Sequence, residues 1–345
     1  MSVTTLRILY VGPLWEGGTC LQRMRALQRF GNEVVPFDTT PWVAGGHRIV
    51  RSIAHRFNFG PNVSGLNKSL LDYTKTVGRL DLVWVDKGRW IFPETLIALK
   101  TQTSSMALHY TPDPQLVFHK SRFFEKCIPH YEWVVTTKHF ERGAYSALGA
   151  RTVILVLQGY DRRFTEYPRA SFARTEWVTD VCFVGHYERH YASRVRAASR
   201  TGCRLSVWGP GWIRASRLRS SLRRHVEGNG AWGEDYLTVL SGSKIGLGLL
   251  SKWIPETSTT RSFEIPAAGT FLLAERTEEH QELFEEGKEA EFFVGDHELN
   301  DKVQFYLAND HARRRIAEAG RERCICSDYS NEAQLRKVLE EVGNP

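Results

Sequence analysis

The sequence is poor in sulfur: among 345 residues there are three methionines and six cysteines. The cysteines stand at positions 20, 127, 182, 203, 324 and 326, and none forms a Cys-x-x-Cys pair. Cys324 and Cys326 are too close together for ordinary zinc pairing. That scatter excludes a disulfide scaffold or zinc module and suits isolated thiols in a reducing compartment. Asp-x-Asp, the simplest metal-holding carboxylate pair, is also missing, so no metal site is expected. No apolar run approaches the roughly 20 residues needed to span a bilayer. The N-terminal MSVTTLRILYVG has neither the charged start nor the cleavage site of a signal peptide. It reads as the first strand of a fold, and the expected location is cytoplasmic.

What is present is basic and α/β in pattern. The formal charge of +7 favours anionic partners. Arg214, Arg217, Arg219, Arg223 and Arg224 recur within one short stretch, which reads as a solvated helix face. An acidic membrane surface or a nucleic acid is the sharper alternative for that stretch. Apolar runs at 6–11, 33–38, 81–85, 106–110, 133–136 and 152–156 suit buried strands, with helices at 21–30 and 93–100 between them. A second series follows at 181–184, 204–208, 244–250, 270–274 and 292–294, with a helix at 193–200 and two charged helices beyond His297. Residues 39–75 mix Gly, His, Asn and Arg, and read as a long loop.

Strands alternating with helices are the signature of parallel sheets covered on both faces. Two such series imply two domains, expected at 1–168 and 169–328. The remaining 329–345 forms an amphipathic helix through Leu335, Val338, Leu339 and Val342, expected to dock back on the first domain. Ligands of parallel sheets bind beyond the carboxyl ends of the strands, so the cleft between the domains is the expected site.

The informative stretch is Pro255-Glu-Thr-Ser-Thr-Thr-Arg-Ser-Phe-Glu-Ile-Pro-Ala-Ala-Gly269. It sets Glu256 and Glu264 around hydroxyl side chains, Thr260 and Ser262 among them, and Arg261. A helix start here offers free backbone N–H groups, hydroxyls and a cation to a diphosphate. A carboxylate nearby can accept hydrogen bonds from both ribose hydroxyls. The stretch from Thr260 to Gly269 resembles the C-terminal donor domains of GT-B glycosyltransferases, especially the CgeB-like group. Glu275-Arg-Thr-Glu-Glu-His280, Leu283-Phe284, Glu286-Gly-Lys-Glu289, Phe292 and Phe183-Val-Gly-His-Tyr-Glu188 share that resemblance.

The resemblance implies two facing Rossmann-like domains with an inter-domain cleft, and a nucleotide-sugar donor held by the second domain. It gives Glu264 to the ribose and Glu256, where the group often carries Asp, to the sugar or phosphate end. It implies a UDP- or GDP-linked sugar as co-substrate, no separate cofactor, and transfer with retention of configuration. Arg261 is the first candidate for pairing phosphate oxygens, with Lys252 and Arg189 as further cations. Gly185 and Ser262 belong to the donor-side motifs. Gly17 and Gly18, in the first βα loop, are candidates for a close backbone approach to the donor. His109 and Asp113 stand at the end of a predicted strand, where an acceptor-side group belongs. The expected acceptor is a glycan, lipid or small molecule, with modified DNA as an alternative and peripheral membrane contact allowed. A nucleotide-sugar epimerase and a non-catalytic nucleotide-binding module are the rival functions.

Overall fold

A computed structural model describes residues 5–166, 178–218 and 220–343. The expected boundary at 168/169 and Arg219 lie outside the described residues. The chain divides into two units, Met1–Leu157 together with Asn331–Pro345, and Gln158–Ser330.

The first unit is a parallel sheet of six strands: β1 (Arg7–Gly12), β2 (Glu33–Asp38), β3 (Leu82–Asp86), β4 (Met106–Thr111), β5 (Trp133–Thr136) and β6 (Thr152–Leu155). Their spatial order is β2-β1-β3-β4-β5-β6. The second unit repeats the plan with β7 (Thr179–Val184), β8 (Leu205–Trp208), β9 (Val226–Gly228), β10 (Ser243–Gly248), β11 (Phe271–Glu275) and β12 (Glu291–Phe293). There the order is β12-β11-β10-β7-β8-β9. Every residue of β3, β5 and β11 is buried, because helices cover both faces of a parallel sheet. β2 lies at an edge, is largely accessible, and carries Pro36, which an edge strand tolerates.

On one face of the first sheet, Ile8, Tyr10, Trp84 and Leu108 pack with Leu21, Met24 and Leu27 of the helix Thr19–Arg29. Leu335, Val338, Leu339 and Val342 of the last helix, Asn331–Gly343, complete that core. The chain thus leaves the first unit after Leu157 and returns to it at Asn331. On the opposite face Leu9, Val11, Val83 and Val85 meet Leu66, Leu70, Leu96 and Leu99. The second unit closes around Val181, Phe183, Tyr191, Trp212, Ile245, Leu247, Phe271 and Leu273.

Residues 39–75 are not the loop the composition suggests. They form three helices, Thr40–Val43, Arg48–Phe57 and Pro61–Val77. The third starts with Pro61 after Gly60, whose φ of +117° suits glycine. Its buried face includes the polar Asn67 and Thr74, which blurs the helical period. Asn67 is satisfied there, donating to Val63 O and Trp90 O and accepting from Phe92 N–H.

Candidate functional sites in the two units

In the second unit the motif stretch turns from a loop after β10 into the helix Thr260–Ala267, and Gly269 with φ +77° ends the turn before β11. The Thr259 N–H donates to Ser262 Oγ at 3.1 Å, closing the helix start. Ser262 is fully buried and its hydroxyl also meets His280 Nε2 at 2.7 Å, while His280 Nδ1 lies 2.8 Å from Glu275 O. The structure therefore commits Ser262 to holding the helix start.

Glu264, one turn further on, is 6% exposed and accepts a hydrogen bond from the Tyr236 hydroxyl at 2.8 Å. Burial pushes its carboxyl up to about 7, against the opposing hydrogen bond from Tyr236, the charge of Arg261 and the hydroxyl of Thr260. Arg261 donates through Nη2 to Leu249 O at 2.9 Å. Its Nε is buried without a hydrogen-bond partner among the described residues. The guanidinium lies 5.4 Å from the Phe183 ring centre and 5.9 Å from that of Tyr191. Burial opposes its charge, but the Tyr191, Glu256, Tyr236 and Glu264 side chains hold its pKa up.

Gly185 at the end of β7 lies against this cation: a Cβ there would come within 3.3 Å of Arg261 Nη1 and 2.9 Å of Phe183. Gly209, φ +151°, backs the same turn, because a Cβ on it would stand 1.8 Å from Gly185 O. Glu256 is half-buried and accepts the Ser251 N–H at 3.0 Å. Lys252 pairs with Glu275 Oε2 at 3.2 Å. Glu275 also meets His190 Nε2 at 2.6 Å and accepts the Leu250 N–H at 2.9 Å. Arg189 stands exposed at the first position of the helix Arg189–Ser199. Glu264, Arg261 and Gly185 are thus brought together, Glu256 borders them, and Lys252 is engaged with Glu275. Tyr236, from the helix Gly233–Ser241, is the partner that sequence reasoning missed. Arg214, Arg217, Arg223 and Arg224 are all exposed.

The first unit holds a different constellation. Gly17, φ +85°, and Gly18 shape the turn into the first helix, where Gly18 N–H donates to Trp15 O at 3.0 Å. A Cβ on Gly18 would meet the Trp15 ring at 2.9 Å, so local packing accounts for that glycine. His109 on β4 is fully buried between Phe124 and Tyr131, with ring centres 4.5 and 5.4 Å away. Burial drives it down to about 3, and neither nitrogen has a hydrogen-bond partner among the described residues. It is a neutral, fully buried core residue.

Asp113, by contrast, lines a cavity of about 230 Å³ with Lys87, Arg89, His55, His119, Trp90, Asp86, Gln115 and largely apolar neighbours. Lys87 adopts φ +65°, a conformation that costs a non-glycine residue energy. Its ammonium sits 2.8 Å from Asp113 Oδ2. Burial raises the Asp113 carboxyl, but Lys87 more than offsets this and holds it down at about 2. Arg89 lines the same cavity and donates to neutral acceptors, Asn58 Oδ1 at 2.8 Å and His55 O at 2.6 Å. Beneath, Asp86 is buried and accepts from Tyr10 Oη at 2.5 Å and Arg23 Nε at 2.8 Å. Nothing in the local sequence besides a charge at a strand end announced that Arg23–Asp86 pair.

Residues 189–340 match a family model described as glycosyl transferase-like. No curated protein sequence is a significant match. Among solved structures, an α-glucosyltransferase in complex with UDP-glucose and DNA containing an abasic site is similar, with TM-score 0.73 and 10% identity. The likeness covers 98% of this chain and 100% of that one. The sucrose-phosphate synthase of Thermosynechococcus elongatus matches with TM-score 0.69 and 13% identity, over 98% of this chain and 99% of that one. Alr3699/HepE of Anabaena, solved with UDP and glucose, matches with TM-score 0.65 and 12% identity, over 99% and 100%. At these identities the likeness speaks for the fold. The chain has the GT-B fold of two Rossmann-like domains, each on its own six-stranded parallel sheet.

Proposed function

We propose that the protein is a glycosyltransferase that takes a sugar from a UDP- or GDP-linked donor bound by the second unit. One observation carries this reading: Glu264 and Arg261, an acid and a cation one turn apart, are held beside the Gly185 turn. The guanidinium Nε has no hydrogen-bond partner among the described residues. Glu264 takes the ribose hydroxyls, Arg261 the diphosphate, and Glu256 the sugar or phosphate end. The glycosyl transferase-like match over the same residues and the solved structures that hold UDP or UDP-glucose support it. The motif residues favour the CgeB-like group within that class.

In the reaction, the bond from the anomeric carbon to the diphosphate breaks and a bond to the acceptor oxygen forms. Arg261 stabilises the charge that collects on the departing diphosphate, a role that fixed cations and N–H groups fill without a metal ion. Our candidate for the acceptor pocket is the cavity of the first unit lined by Asp113 and Lys87. Asp113, held at about 2 by Lys87, is a weak base near neutral pH. The family resemblance favours attack on the face the diphosphate leaves, with the acceptor proton passing to the leaving oxygen, so that configuration is retained.

The test is a thermal-shift and calorimetry panel of UDP, GDP and their sugars, because a ligand of the folded state raises apparent stability by mass action. Stabilisation by one nucleotide sugar, followed by release of its free diphosphate, is expected. Epimerisation of the donor, or binding with no turnover on any acceptor, would replace this reading with one of its rivals. Turnover is expected to persist in EDTA; loss restored by manganese or magnesium would show a metal requirement. A modified-DNA acceptor draws support from the α-glucosyltransferase solved with DNA. Binding of DNA that weakens steeply with salt is its signature.

A further inference from the structure

The helix Arg48–Phe57 is packed with its apolar face outward. Its one fully buried residue is Ala54, which meets Val63 and Trp90. Ile49 is 64% exposed, Ile53 43% and Phe57 64%. These three stand four residues apart, so they form a single stripe about 80° wide along the helix. Phe59 extends the stripe just beyond the helix at 73% exposure.

The helix is nevertheless tied down firmly, through its other side. The His55 ring packs 4.9 Å from Trp90, and its Nε2 lies 2.7 Å from Val43 O. Arg51 donates to Ala44 O at 2.6 Å. Asn58, left-handed at φ 52°, caps the helix and receives hydrogen bonds from Arg89 and the Trp90 indole. Its own amide donates to Lys120 O, beside the exposed Val117 and Phe118. A soluble surface rarely spends four large apolar side chains on water in one stripe.

The charges on the helix itself have one sign. Arg48 and Arg56 are exposed, and Arg56 adjoins the Phe57 ring at 5.7 Å. No Asp or Glu occurs anywhere between Asp38 and Asp72. We propose that this helix is a membrane-docking element, lying in the headgroup layer of an anionic lipid surface. Ile49, Ile53, Phe57 and Phe59 enter the acyl boundary, and Arg48 and Arg56 meet lipid phosphates or carboxylates. Aliphatic Ile49 and Ile53 offer no stacking plane to nucleic-acid bases, which disfavours that occupant. A symmetric pairing of two copies through the stripe would bring like cations together in an isologous interface. The placement does not depend on what the protein transfers.

The experiment is co-sedimentation of the full chain with vesicles of phosphatidylcholine alone or mixed with phosphatidylserine. Binding to the mixed vesicles, weakened by salt, is expected. Arg48→Gln and Arg56→Gln should each lower the partition constant about fivefold, as expected for one cation at an anionic surface. Ile49→Ser with Phe57→Ser should abolish binding while leaving the melting temperature and UDP-induced thermal shift in place. Equal binding to both vesicle types, or none to either, overturns the proposal. So does a dimer seen by light scattering that the serine variants dissolve, which would make a second copy the occupant. Retention of labelled DNA that the same variants abolish, without vesicle binding, overturns it in favour of nucleic acid.

Discussion

Burial lifts the Glu264 carboxyl to about 7, so it changes charge within the neutral range. Ribose hydroxyls bind best as donors to the ionised form, so donor affinity should rise with pH through about 7. Calorimetric titrations with the nucleotide between pH 5.5 and 8.5 would show this, and Glu264→Gln should flatten the profile. Glu264→Ala removes charge-assisted hydrogen bonds worth about 1.5–3 kcal/mol, or roughly one to two decades in affinity. The stability consequence has the opposite sign. A carboxyl whose folded pKa stands above its ordinary 4.5 stabilises the fold least when ionised, so the penalty grows between 4.5 and about 7. Glu264→Gln should therefore raise the melting temperature at pH 8 and leave it nearly unchanged at pH 4.5. Arg261→Ala should instead lower turnover more than donor binding, because its charge matters most as the diphosphate departs. Glu264 and Arg261 were legible because they lie in one contiguous motif. Tyr236 was not, because it reaches Glu264 from 28 residues upstream and only the fold brings them together. His109 shows the reverse: a strand-end histidine reads as chemistry in one dimension and is core in three.

At the scale of elements, the central strands were readable because burial on both faces gives nearly unbroken apolar runs. β1 runs Arg-Ile-Leu-Tyr-Val-Gly and β11 runs Phe-Leu-Leu-Ala-Glu, and both fall within a residue or two of the expected spans. β9 was not readable: Val226–Gly228 is three residues at an edge, too short to carry a period. The helix Arg48–Phe57 escaped for a different reason. Its apolar residues follow helical spacing, but they sit among arginines and histidines that read as a polar loop. Turns at strand ends carry their own constraint. Gly209 both adopts φ +151° and presses on Gly185 O, so Gly209→Ala must displace backbone rather than a side chain. We expect a loss of about 2–3 kcal/mol, from strain plus clash. Denaturant melts would read it, with donor binding weakened because the Gly185 turn moves. Gly202→Ala, at φ +79° with open space around it, should cost less.

For the whole molecule, the chain path has a consequence that neither unit shows alone. The last helix belongs to the first unit, although the entire second unit intervenes in sequence. Leu335, Val338, Leu339 and Val342 are each less than 10% exposed in the first unit's core. Arg29 of the first helix pairs with Glu332, and Gln334 Oε1 accepts the Leu157 N–H at 3.0 Å. Full burial of one such apolar side chain contributes about 1.5–3 kcal/mol, and a domain's net stability is only about 5–15 kcal/mol. Ending the chain after Ser330 should therefore unfold the first unit or leave it barely stable. The second unit keeps its own core and its proposed donor residues, so its melting should still shift upward with UDP. Hydrogen exchange would locate the damage: fast exchange across β1, β3 and β4, with protection retained across β7, β10 and β11. The single change Val338→Asp tests the same docking without truncation, because it places a charge at a fully buried position within an apolar cluster. If instead the truncated chain kept full protection in β1 and β3, the final helix would be an accessory to the first unit rather than part of its core.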